Sequence, residues 1–77
     1  AQVQVFPNPA ERNLNFIWPP GPEQSWRYQL TDLRGKVLLE GRQPDKLPVD
    51  HLAEGIYLLR LSQPQKGIHQ TEKIWLR

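Results

Sequence analysis

The sequence predicts a small all-β fold of antiparallel strands, and three observations carry that prediction. Eight prolines and five glycines cut the 77 residues into short segments. No segment keeps apolar residues at i, i+3 and i+4 over several helical turns. Between the breaks lie runs of about four to eight residues rich in Val, Ile, Leu, Tyr, Trp and Phe, which is the length and composition of strands.

The first run, residues 3–6, ends at Pro7, Asn8 and Pro9, where two fixed φ angles and two missing amide donors stop the pairing and force a turn. A second strand is expected over residues 14–18, closed by a stiff exposed loop at Pro19, Pro20, Gly21 and Pro22. A third, residues 26–31, alternates so that Trp26, Tyr28 and Leu30 share one face, assigned to the core. Asp32, Leu33, Arg34 and Gly35 then supply a side-chain acceptor and a glycine free to take positive φ, the chemistry of a hairpin turn. The return strand is read over residues 37–40. A short run over residues 47–49 contains Pro48 and so is expected at a sheet edge. After a tight loop over residues 50–55 comes the strongest strand, residues 56–61, with Tyr57, Leu59 and Leu61 inward. Residues 63–67 turn the chain into a last strand over residues 69–76, with Ile74 and Leu76 inward and Lys73, Trp75 and Arg77 outward. About seven short strands with no room for crossover helices make an immunoglobulin-like β-sandwich, with a small barrel as the alternative.

Composition bounds the function. With 38% hydrophobic and 23% charged residues the chain reads as one globular domain over residues 1–77. It has no cysteine, which excludes disulfide staples and thiolate metal sites. The net charge of +2 comes from ten basic and eight acidic residues with no run of like charge, arguing against a nucleic-acid partner. No apolar stretch approaches a membrane span, so no direct membrane insertion is expected, and an export leader would have to lie outside these residues. His51 and His69 lack metal-ligand spacing, no cofactor is implied, and Ser25, Ser62, His51, His69 and Asp50 form no catalytic motif. No catalytic or metal-binding residue is therefore assigned, and the chain is not read as an enzyme.

Four segments carry a resemblance. Val5-Phe6-Pro7-Asn8-Pro9, the run Leu30-Thr31-Asp32-Leu33-Arg34-Gly35-Lys36-Val37-Leu38, Leu52-Ala53-Glu54-Gly55-Ile56-Tyr57 and the closing Lys73-Ile74-Trp75-Leu76-Arg77 resemble, in order and spacing, the type A C-terminal sorting domain of type IX secretion cargo. Each motif alone is common in β proteins, and the four in sequence are specific. The chain departs from the pattern in its proline-rich residues 18–22 and in Trp75, where the family usually has an aliphatic residue. The resemblance implies a secretion signal that follows a passenger protein. It implies transit through the periplasm, reading by the outer-membrane translocon, handling by a shuttle protein, and removal by a cell-surface sortase that anchors the passenger on the outer-membrane surface or releases it. It also implies that Gly55, Tyr57, Lys73, Ile74, Trp75, Leu76 and Arg77 contact the translocon or shuttle, and that Pro7, Asn8, Pro9, Asp32 and Gly35 are structural.

Each candidate also has a plainer reading. Gly55 serves a loop that needs positive φ, and Tyr57 is a core residue with its hydroxyl at the margin; the residues favour both of these readings. Lys73 and Arg77 divide evenly between receptor contact and charge that discourages edge-to-edge aggregation. If the last strand lies at an edge, its backbone is open to strand addition, with Ile74, Trp75 and Leu76 filling alternate pockets. Two other functional classes remain: a carbohydrate-binding platform of Trp18, Trp26 and Trp75, and a structural spacer of a surface enzyme.

Overall fold

A computed structural model describes residues 3–20 and 26–77, and the expected loop at residues 21–22 falls outside them. Seven strands form in chain order: β1 (Gln4–Phe6), β2 (Asn13–Ile17), β3 (Arg27–Thr31), β4 (Val37–Arg42), β5 (Lys46–Pro48), β6 (Gly55–Gln63) and β7 (Ile68–Leu76). One 3-10 turn, Pro64–Lys66, joins the last two. They make two antiparallel sheets, a three-stranded one ordered β1-β2-β5 and a four-stranded one ordered β4-β3-β6-β7. The chain changes sheet between β2 and β3, between β4 and β5, and between β5 and β6, which is the wiring of a sandwich and not of an up-and-down barrel.

Alternation decides what lies between the sheets. Tyr28 and Leu30 of β3, Tyr57, Leu59 and Leu61 of β6, and Ile74 and Leu76 of β7 all point inward and are buried, as their sequence period of two requires. From the other sheet Val3, Leu14, Phe16, Leu47 and Val49 complete the core. Pro48 in β5 is tolerated because that strand pairs only with β2, leaving its other side at the sheet edge.

Some boundaries move for local reasons. β2 begins and ends one residue earlier than the pattern suggests, because Asn13 pairs with Pro48 while Trp18 leaves the ladder. β4 runs on through Gly41 to Arg42 instead of stopping at residue 40. Gly41 sits opposite Tyr28, and a Cβ there would come within 3.0 Å of the tyrosine ring, so the missing side chain makes room for the ring and lets the pairing continue. Asp32 organises the β3–β4 hairpin as the sequence suggests. Its Oδ1 accepts from the amides of Arg34 and Lys36, both at 2.9 Å, and Gly35 takes φ +93°.

The segment after β1 does more than end a strand. Pro7 and Pro9 carry the chain across to the other sheet, where Ala10 forms a parallel bridge with Leu76. The Ala10 amide donates to the Trp75 carbonyl at 2.8 Å, and the Arg77 amide donates to the Ala10 carbonyl at 2.9 Å. Asn8 stands in for a peptide group: its Nδ2 donates to the Lys73 carbonyl at 2.9 Å and its Oδ1 accepts from the Trp75 amide at 3.0 Å. The expectation that pairing stops at Pro7 is therefore corrected. It stops in the first sheet and resumes in the second, because the Asn8 side-chain amide supplies a donor where the flanking prolines have none, together with an acceptor for Trp75.

Candidate functional site

The residues singled out by sequence gather on β6 and β7 but divide between the two faces of their sheet. Gly55 opens β6 opposite Leu76 with φ +152°, a backbone conformation that side-chain-bearing residues rarely adopt. Two residues on, Tyr57 is buried and its hydroxyl donates to the Ala53 carbonyl four residues back. A tyrosine near the start of this strand, bonded to backbone just upstream, ties the corner between the sheets of a sandwich. Tyr57→Phe removes the donor and leaves that carbonyl partly buried, so it should lower stability by about 1–2 kcal/mol, read as a shift in the chemical denaturation midpoint at unchanged slope.

Ile74 and Leu76 are 1% and 2% exposed and belong to the core. They cannot fill pockets on a partner while the domain is folded. The outward backbone groups of residues 73–77 are likewise occupied, by Asn8 and Ala10. Strand addition at this end of β7 is thus corrected, for the edge there is already covered by the chain's own N-terminal segment.

Lys73, Trp75 and Arg77 face the other way, toward solvent. Trp75 is 47% exposed and pairs across the strands with Ile56, itself 37% exposed. The Arg77 guanidinium carbon lies 5.2 Å from the centre of the Trp75 ring, a cation–π contact that holds both side chains in one arrangement. Lys73 is opposite Leu58, which is opposite Thr31 on β3. The result is an apolar patch of Ile56, Leu58 and Trp75 bordered by two cations, on the outer face of the four-stranded sheet.

The three tryptophans do not form a platform. Trp26 is buried, and Trp18 is half-buried with its indole N–H donating to the Pro44 carbonyl at 2.8 Å. Trp18 stacks on Phe16 at 5.1 Å and leans on Trp26 at 6.1 Å, so these aromatic rings close one end of the core. Trp75 lies at the other end of its sheet, opposite Ile56, while the residue after Trp26 pairs with Ser62, about 20 Å away along β6. That separation removes the basis for the carbohydrate-platform reading.

Burial, and then the Glu40 carboxylate, push the Tyr28 hydroxyl above the usual tyrosine range. Among the described residues no three His, Cys, Asp or Glu side chains gather as a metal site requires.

Fold and surface together describe a small sandwich whose last strand is hydrogen-bonded on both sides at its C-terminal end and shows Lys73, Trp75 and Arg77 outward. The chain matches the family described as "Secretion system C-terminal sorting domain" over residues 4–77. It belongs to that family of type IX sorting signals, non-catalytic tails through which a passenger protein engages the type IX secretion system and travels to the cell surface or beyond. No curated protein matches it.

Proposed function

We propose that the chain is the single, removable C-terminal domain of a larger exported protein, and that Lys73, Trp75 and Arg77, with Ile56 and Leu58 beneath them, are the surface read by the translocon and its shuttle protein. The observation that carries this reading is the ordered outward array on β7. Its backbone is hydrogen-bonded to β6 on one side and to Asn8 and Ala10 on the other. A partner thus meets a fixed backbone with Trp75 and Arg77 already in contact, which lowers the ordering cost at those two side chains. Gly55, Tyr57, Ile74 and Leu76 act indirectly, by holding that surface in shape. In this account the passenger crosses the periplasm with the domain folded behind it. A surface sortase then cleaves upstream of the sandwich, and the passenger is anchored on the outer membrane or released.

The test is a reporter fused ahead of residues 1–77 in cells with and without the type IX system, followed by mass spectrometry of the surface and medium fractions. The expected product is an exported reporter lacking the domain, with uncleaved fusion held in the periplasm of system-deficient cells. Export with the domain still attached would refute removal. Export that does not need the system would refute the sorting role and leave the chain as a spacer.

A further inference from the structure

At the opposite end of the same outer face, strand register assembles a charge cluster from distant parts of the chain. Arg42 of β4 lies directly across from Arg27 of β3. Arg60 of β6 lies across from Gln29, one outward position along β3, and so sits diagonal to Arg27. All three are exposed, and among the described residues none has an ion-pair or hydrogen-bond partner within the chain. Glu40, the acid on this face, instead accepts from Gln29 Nε2 at 3.2 Å. Like charges directly opposed across a strand pair are destabilising. Among the described residues no acid forms an ion pair with any of the three, and Glu40, diagonal to Arg27 by register, is engaged by Gln29.

We propose that Arg27, Arg42 and Arg60 form a binding site for the phosphate group of a phosphorylated saccharide. Guanidinium forks match the oxygens of a phosphate bidentately. Arg27 and Arg42 are directly opposed at about 5 Å and Arg60 lies on the diagonal from Arg27 at about 7–8 Å, and all three border one depression, onto which their long side chains can converge toward one multiply charged group. The depression they border is also lined by Gln29, Ser62 and Thr71, which offer neutral donors and acceptors to ring hydroxyls, by His69, and by Glu40, whose carboxylate accepts from Gln29. Among the described residues the aromatic ring that reaches it, Tyr28, is buried over Gly41 and so offers no exposed platform for a base. The proposal is independent of the sorting role, since it uses the end of the sheet away from Trp75.

The experiment titrates the 77-residue chain with glucose 6-phosphate, inorganic phosphate, glucose and anionic phospholipid vesicles, following backbone amide resonances at low salt. Saturable shifts centred on Arg27, Arg42, Arg60 and Ser62 are expected with the sugar phosphate, weaker ones with inorganic phosphate, and none with glucose. Arg42→Gln and Arg60→Gln should each weaken binding about tenfold, the loss of one charge-assisted contact. Arg42→Gln also relieves the opposed pair, so its melting temperature should hold or rise, separating lost binding from lost folding. Absence of saturation with the sugar phosphate, binding untouched by both substitutions, inorganic phosphate binding as tightly as the ester, or vesicle binding in its place would each overturn the proposal.

Discussion

Deleting residues 73–77 is expected to unfold the domain, not merely to remove a signal. The deletion takes away Ile74 and Leu76, both essentially inaccessible to solvent, and with them about 4–10 kcal/mol of packing if each behaves like a large core residue cut back to nothing. It also leaves the first four residues of β6 without their partner strand, and Asn8 and Ala10 without the carbonyls and amides they engage. A domain of this length has a total stability of only about 4–12 kcal/mol. Circular dichroism and amide dispersion of the shortened chain should therefore show a disordered protein at room temperature. A cooperative melting transition close to that of the full chain would mean that β7 contributes far less to the core than its burial indicates. The consequence for function is direct, because an export defect in such a truncation reports on folding and cannot locate a recognition surface.

Substituting only the outward residues separates the two. In Lys73→Glu/Trp75→Ser/Arg77→Glu every core side chain stays, and so do the backbone bonds to β6 and Ala10. What is lost is the cross-strand contact of Trp75 with Ile56 and the exposed cation–π contact with Arg77, together about 1–2 kcal/mol. The domain should remain folded, with a modestly lowered melting temperature. Its surface, however, changes from cationic and aromatic to anionic and polar, reversing the charge complementarity that steers a partner onto the strand. Export should fall to the level of a reporter without the domain.

Much of this was legible in the sequence because period-two alternation is a local signal. Tyr28 with Leu30, Tyr57 with Leu59 and Leu61, and Ile74 with Leu76 each chose the right face, and the outward set Lys73, Trp75 and Arg77 followed from it. The Asp32 hairpin was legible for the same reason, since its donors and acceptors lie within four residues. Contacts that depend on register between distant strands were not. Nothing near Asn8 says that its amide will bond to Lys73 and Trp75, more than sixty positions away, so a proline-flanked asparagine reads as a terminator when it is a link between sheets. Strand addition through Ile74, Trp75 and Leu76 depends on an open edge, and whether residues 73–77 have one turns on the same distant contacts with Asn8 and Ala10. The arginines at 27, 42 and 60 look like scattered charge along the chain, and only the pairing of β4, β3 and β6 makes them neighbours. Trp18 and Trp26 were ambiguous because aromatic composition alone does not distinguish an exposed platform from the closed end of a core.

The central claim is that the sorting surface is the outward side of β7, displayed by a fold that the inward side maintains. The most direct measurement is the exported fraction of a reporter carrying the triple outward variant, compared with the unaltered domain in the same type IX-competent cells, with amide hydrogen exchange on both purified domains as the folding control. The account predicts native-like protection of β6 and β7 in the variant together with loss of export. Export at the unaltered level from a variant with that same protection would contradict it, and would place recognition on another face of the sandwich.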